Sequence, residues 1–197
     1  MKYDEFKELV KNIDNPVVLI EGKRNIPEKY YLKAIRVAEK IATDFPNIIF
    51  RTGNADGTDE AFSLGVKNID PTRLQIITPY KGHKKNKRIS GAIYDSPESL
   101  SYIAEQQILY QTIKATPQYK SLIENMNKNP SLTAKANYLI RDTMKVYKYR
   151  EDFESPVAGI FYVELNDIES GGTGHTIRVC KNLGIPIILQ DSWENWV

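Results

Sequence analysis

Val17-Val18-Leu19-Ile20, preceded by Pro16 and followed by Glu21-Gly22, carries the architecture. An unbroken apolar run rich in β-branched residues has no polar alternate position. That is the signature of a strand buried on both faces of a parallel sheet, not of one with a solvated face. Downstream, Pro27 and Glu28 suit the first turn of a helix, and Tyr31, Ile35, Ala38 and Ala42 recur at i, i+4, i+7 and i+11 to give one apolar stripe. Ile48 to Phe50 reads as a second strand. It opens into a loop over Arg51 to Asp59, where Gly53, Asn54, Asp56 and Gly57 supply turn chemistry and Thr58 or Asp56 can cap a short helix through Val66. Leu74 to Thr78 is a third strand, stopped by Pro79. Such alternation of strand and helix predicts parallel strands joined by crossovers, hence an α/β fold with a Rossmann-like, mostly parallel sheet flanked by helices.

From residue 81 to residue 150 the pattern turns helical. Ser96-Pro97, Thr116-Pro117 and Asn129-Pro130 each place a capping residue before a proline, predicting three helices, with stripes Leu100, Ile103, Ala104, Ile108; Leu122, Ile123, Met126; and Leu132, Ala136, Leu139, Ile140, Tyr147. We read this segment as a helical insertion between the third and fourth core strands. The α/β pattern resumes with a strand at Val157 to Val163, a polar loop, a short helix carrying Ile177, Cys180 and Leu183, and a last strand at Ile185 to Leu189. No repeat or linker divides the chain, so residues 1–197 are expected to form one domain.

The 27 Lys and Arg against 25 Asp and Glu leave a net charge of +2, far from the basic footprint of a dedicated duplex-DNA binder. A lone cysteine, Cys180, rules out an internal disulfide and a cysteine-built metal site, and it fits a reducing cytoplasm. No apolar run has the length of a membrane span, and the charged start lacks the apolar stretch of a signal peptide, so no membrane partner is expected.

In an open parallel sheet the ligand crevice lies beyond the carboxyl ends of the strands, where helix-start amides favour anions. Three loops leave strand ends with glycine: Gly22-Lys23-Arg24; Thr52-Gly53-Asn54-Ala55-Asp56-Gly57-Thr58-Asp59; and Gly171-Gly172-Thr173-Gly174-His175-Thr176. Glycines admit a ligand close to the backbone, the threonine hydroxyls can donate to phosphate, and Lys23 or Arg24 can neutralise it. The candidate ligand-binding residues are therefore Gly22, Lys23, Arg24, Gly53, Asn54, Asp56, Gly57, Thr58, Gly171, Gly172, Thr173, Gly174, His175 and Thr176, with Tyr80, at a strand end, as a surface on which a base can stack. Neither the P-loop nor the GxGxxG fingerprint is matched, the latter because position 177 is isoleucine. No catalytic Ser/His/Asp elbow, metal-spaced cluster or carboxylate couple stands out. No catalytic residue, metal or cofactor is assigned. Arg141, Asp142 and Lys145 fall at helical spacing and are expected as a solvated surface ion pair, with a phosphate contact from Arg141 as the alternative.

A strand ending in Gly-x-Arg, a second strand leading into Thr-Gly-Asn-Ala-Asp-Gly-Thr-Asp-Glu-Ala, and a late Gly-Gly-Thr-Gly-His-Thr before a helix and a Gly-Ile-Pro strand resemble the SLOG superfamily. That Rossmann-like group contains DNA-processing protein A, LOG-type phosphoribohydrolases and sensor domains for nucleotide-derived signals. The likeness covers residues 16–80 and 157–190, roughly half the chain. It implies a domain that holds a nucleotide, or a strand's phosphate, against the three loops, and a homo-oligomer, a dimer, for which the aromatic helical segment offers surface. The chain also departs from the pattern. Where LOG-type hydrolases carry Pro-Gly-Gly-x-Gly-Thr-x-x-Glu, Ser170, His175 and Arg178 replace the proline, the threonine and the catalytic glutamate. The second loop keeps the Ser-Gly-x-Ala-x-Gly-x-Asp shape of the DNA-processing group, without room for a winged-helix extension.

Three functions are expected from these features. The first is capture of a nucleotide or nucleotide-derived ligand, cyclic ones included, by a sensor or sequestering protein that does not turn it over. The second is N-glycosidic cleavage of a nucleotide, with Glu21, Asp56 or His175 as acid-base groups. The third is single-stranded DNA binding, for which Lys84, Lys85, Lys87 and Arg88, next to Lys81 and His83, would meet the backbone.

Overall fold

Val17–Gly22 forms strand β1, buried at all six positions as its composition demands. With β2 (Ile49–Thr52), β3 (Leu74–Ile77), β4 (Ile93–Asp95), β5 (Ala158–Tyr162) and β6 (Ile187–Leu189) it makes one six-stranded sheet in the order β4-β3-β2-β1-β5-β6. Every pairing is parallel, with Val18 opposite Phe50 on one side and Ala158 on the other. This is a computed structural model, and it describes residues 1–197. The helices are α1 (Tyr3–Val10), α2 (Glu28–Asp44), α3 (Thr58–Ile69), α4 (Tyr102–Ala115), α5 (Lys120–Glu124), α6 (Pro130–Met144), α7 (Gly171–Asn182) and α8 (Gln190–Trp193).

Strand alternation sends successive residues to opposite faces, and the two faces are packed by different chemistry. Val18, Ile20, Phe50, Leu74, Ile76 and Ile160 meet the stripes of α2 (Ala34, Val37, Ala38, Ile41) and α3 (Phe62, Val66), with Trp193 and Trp196 closing the edge. Each such fully buried side chain contributes about 1.5–3 kcal/mol, so this face carries most of the apolar stabilisation. On the other face Leu19 and Phe161 pack on Ile177, Val179 and Cys180 of α7, and Ile77 packs on Ile108, Ile140 and Met144 of α4 and α6. Between these patches the second face is polar. Arg51 donates from Nε and Nη2 to Gln75 Oε1 (3.0 and 2.7 Å) and from Nη1 to the carbonyls of Lys145 and Glu154 (3.3 and 2.7 Å). Burial pulls the Arg51 guanidinium down to about 10, which leaves it charged at neutral pH.

The helical segment differs from expectation in three respects. It begins with a strand, β4, so the helices α4 to α6 stand between the fourth and fifth strands. Pro97 and Pro117 open only 3-10 turns, and α4 starts later, where the Ser101 hydroxyl accepts from the Ala104 amide (3.3 Å). Asn129 does cap α6 as its spacing predicts, accepting from the Leu132 amide (2.9 Å). Ile103, placed in a core stripe by periodicity, is 71% exposed because the buried face of α4 runs through Ala104, Ile108, Thr112 and Ala115, one position round the helix from it. No helix is long and apolar enough to cross a membrane.

Candidate functional site

The order of the strands reverses beside β1: the chain runs outward through β2, β3 and β4, then crosses back to add β5 and β6 on the other side. The loops leaving β1 and β5 therefore diverge, and a crevice opens between them. A cleft of about 510 Å³ sits there. One side is Gly22, Lys23 and Arg24, leaving β1; the second is Ser170 through Thr173, the start of α7; Ala55 and Asp59 come from the loop after β2. Across from them stands the helical insertion, with Tyr119, Leu122 and a stripe of α6 made of Lys135, Tyr138, Leu139 and Asp142. These last four sit at i, i+3, i+4 and i+7 and so share one helix face.

Asp59 ties the loops together. Its Oδ1 accepts from the Gly22 amide (3.2 Å) and its Oδ2 from the amides of Gly53 and Ala55 (3.1 and 3.2 Å). Thr58 donates its hydroxyl to the Lys23 carbonyl (2.7 Å), and the Lys23 ammonium reaches across the cleft to the carbonyl (3.3 Å) and hydroxyl of Ser170.

Of the expected ligand residues, Gly22, Lys23, Arg24, Gly171, Gly172 and Thr173 line the cleft. The others are placed elsewhere. Gly53 donates its amide to Asp59, and its carbonyl accepts from Arg141 Nη1. Asn54 and Asp56 turn toward a separate hollow of about 170 Å³, where Asp56 pairs with Lys84 (2.7 Å) and Lys87 (3.6 Å). Gly57 precedes α3 with φ of 84°, and Thr58 is fully buried. Tyr80 lies outside the cleft with its ring edge-on to His83. Gly174, His175 and Thr176 fall inside α7, because the helix begins at Gly171, earlier than the glycine pattern suggests. His175 is wholly buried between the hydroxyls of Thr116 (2.7 Å) and Thr143 (3.0 Å), and burial pulls its imidazole down to about 4, so it stays neutral.

The expectation of a solvated ion pair at Arg141, Asp142 and Lys145 is overturned: these residues are 7%, 2% and 0% exposed. They face inward because α6 lies over the polar face of the sheet. Lys145 Nζ stands 2.5 Å from Glu21 Oε2 and 2.8 Å from Asp142 Oδ1, while Arg141 Nε is 3.0 Å from the same Oδ1. Thr176 donates to the other oxygen of Glu21 (3.1 Å). Two carboxylates thus share one ammonium, and their environments drive them apart. Burial pushes Glu21 up to about 7 against the opposing pull of Lys145. Burial also works against Asp142, but Arg141 and Lys145 outweigh it and hold that carboxyl below the ordinary range. This is the carboxylate couple that no local motif revealed; its members come from β1 and α6, far apart in sequence, and the helical spacing of Asp142 and Lys145 was the one signal pointing to half of it. No group of three or more His, Cys, Asp or Glu is arranged to hold a metal ion.

Sheet order, flanking helices and cleft position define a Rossmann-like α/β protein with a crevice at its switch point. Comparison finds no matching protein-family description, no matching curated protein and no matching solved structure.

Proposed function

We propose that the cleft captures a nucleotide or nucleotide-derived ligand, cyclic forms included, and that the protein acts as a sensor or sequestering protein without turning the ligand over. A phosphate would sit at the start of α7, against Gly171 to Thr173 and the Lys23 ammonium, with Arg24 completing the charge. Helix-start amides and a charge-assisted hydrogen bond favour an anion there, each by about 0.5–3 kcal/mol. The base would lie against Leu122 and between Tyr119 and Tyr138, whose aromatic faces accept any base by stacking. The observation that carries this reading is the meeting, in one cleft, of glycine amides, the side chains of Lys23 and Arg24 from the loop after β1, and an aromatic wall from the insertion. The resemblance to the SLOG superfamily points to the same ligand class.

The enzyme reading keeps one specific support. Glu21 lines the cleft and, near neutrality, exists in both protonation states, as a general acid-base group requires. It would give its proton to the departing base while water adds to the sugar carbon and returns a proton to Glu21, yielding free base and sugar phosphate. One experiment separates the two readings. Calorimetric titration with nucleoside monophosphates and dinucleotides, followed by chromatography of the mixture, should give saturable binding that weakens about tenfold or more in Lys23→Ala, with the ligand recovered intact. Release of free base that disappears in Glu21→Gln would establish the hydrolase instead, and no saturable heat with any nucleotide would refute the cleft's assignment.

A further inference from the structure

Asp142 presents the cleft with a carboxylate oxygen that nothing in the chain occupies. Its Oδ1 lies in the field of Lys145 and Arg141, while its Oδ2 accepts no hydrogen bond and points at Gly172 on the opposite side: a Cβ built on Gly172 would come within 3.0 Å of it. The residue is 2% exposed and lines the cleft. A carboxylate held ionised is an acceptor only, and one in a site that a ligand dries out must receive a donor from that ligand or lose its hydration uncompensated.

The neighbours say which donor. Gly172 belongs to the start of α7, where the proposed phosphate sits, and a second anion pressed directly on Asp142 would be repelled. With Arg141 and Lys145 already balancing the carboxylate, the ligand group facing Oδ2 is uncharged, rich in donors, and one short linkage from a phosphate. In a nucleotide that group is the sugar. Lys135, two turns away on the same face of α6, forms no ion pair with the carboxylate, whose charged partners are Arg141 and Lys145. We infer that Asp142 is a specificity-determining residue whose Oδ2 takes the ribose hydroxyls of the bound nucleotide, so that the cleft selects ligands carrying a free sugar hydroxyl. This assignment rests on the nucleotide reading above.

The test compares 5′-ribonucleoside monophosphates with their 2′,3′-dideoxy counterparts by calorimetry on the full chain. The expected result is a loss of about tenfold or more in affinity for the dideoxy ligand, and a loss reduced to within about threefold in Asp142→Asn, whose amide cannot reproduce the anionic acceptor. Equal affinity of the two ligands for the unmodified protein would overturn the assignment of Asp142 while leaving the nucleotide reading standing. Discrimination that survives unchanged in a folded Asp142→Asn would do the same. Should Asn at this buried position prevent folding, Gly172→Ala serves, because its methyl group intrudes on Oδ2 and should also erode the preference. Binding of neither ligand class would remove the nucleotide reading, and the ribose assignment with it.

Discussion

Glu21 and His175 both feel the buried charges of Asp142 and Lys145 and respond to acid in opposite senses. His175 titrates near 4 in the folded chain against an ordinary 6.5, so between those values the unfolded chain binds a proton that the native chain refuses, and stability is lost as pH falls. Glu21 titrates near 7 against an ordinary 4.5, so over that interval the native chain keeps a proton that the unfolded chain has released, and stability is gained as pH falls. Each contribution is bounded at roughly 3 kcal/mol, and between about pH 4.5 and 6.5 they offset one another. Glu21→Gln removes the second contribution alone. Urea midpoints of this variant should therefore drop steadily from pH 6.5 to pH 4.5 while those of the parent chain change little; equal slopes would contradict the raised titration of Glu21, and a flat profile in the variant would contradict the buried, neutral state of His175. At this scale the sequence disclosed Lys23, Arg24 and Gly171 to Thr173, because a charge or a glycine after a strand end has a short-range meaning. It did not disclose Glu21 with Asp142: the spacing of Asp142 and Lys145 is local, but their contact with Glu21 joins a strand to a distant helix and has no spacing to read.

The start of α7 is the element on which the cleft depends most, and its glycines do different jobs. Gly171 has φ of 65° with open space around it, so it serves the turn into the helix. Gly174 is there for proximity: an added Cβ would lie 2.0 Å from the carbonyl carbon and oxygen of Glu169. Gly174→Ala must push the helix start away from that backbone, at a cost of about 1–3 kcal/mol, and should displace Gly171 to Thr173 from Lys23. Thermal unfolding and nucleotide titration of this variant are expected to show both losses together; a stable variant with full affinity would show that the close approach is dispensable. The main elements were readable from periodicity because their stripes bury against a sheet. β4 was not, since a three-residue strand with an exposed Ile93 has no pattern of its own and is paired only by its neighbour β3. The proline-marked starts were right at Pro130 and opened only 3-10 turns at Pro97 and Pro117 for a physical reason: proline sets φ for any first helical turn, and a 3-10 turn satisfies it as well as an α-helix.

Across the whole molecule, one face of the sheet is apolar and supplies stability, while the other is partly polar and supplies the cleft. Arg51, Gln75, Glu21 and the α6 ion cluster occupy the centre of that second face, where an all-hydrophobic core would leave no way to place charge beneath a ligand. The competing surface for a nucleic-acid backbone, Lys84 to Arg88, lies apart from the cleft. Lys84 and Lys87 already pair with Asp56, and Arg88 stacks on Tyr94 and donates to the Lys81 carbonyl.

Amide shift mapping by NMR on the 197-residue chain distinguishes these surfaces most directly. Titration with a ribonucleoside monophosphate is predicted to move the amides of Lys23, Arg24, Gly171, Gly172, Thr173 and Tyr138 together along one saturation curve. Shifts confined to residues 84–88, or none at saturating ligand, would contradict the claim that the crevice between β1 and β5 holds the nucleotide.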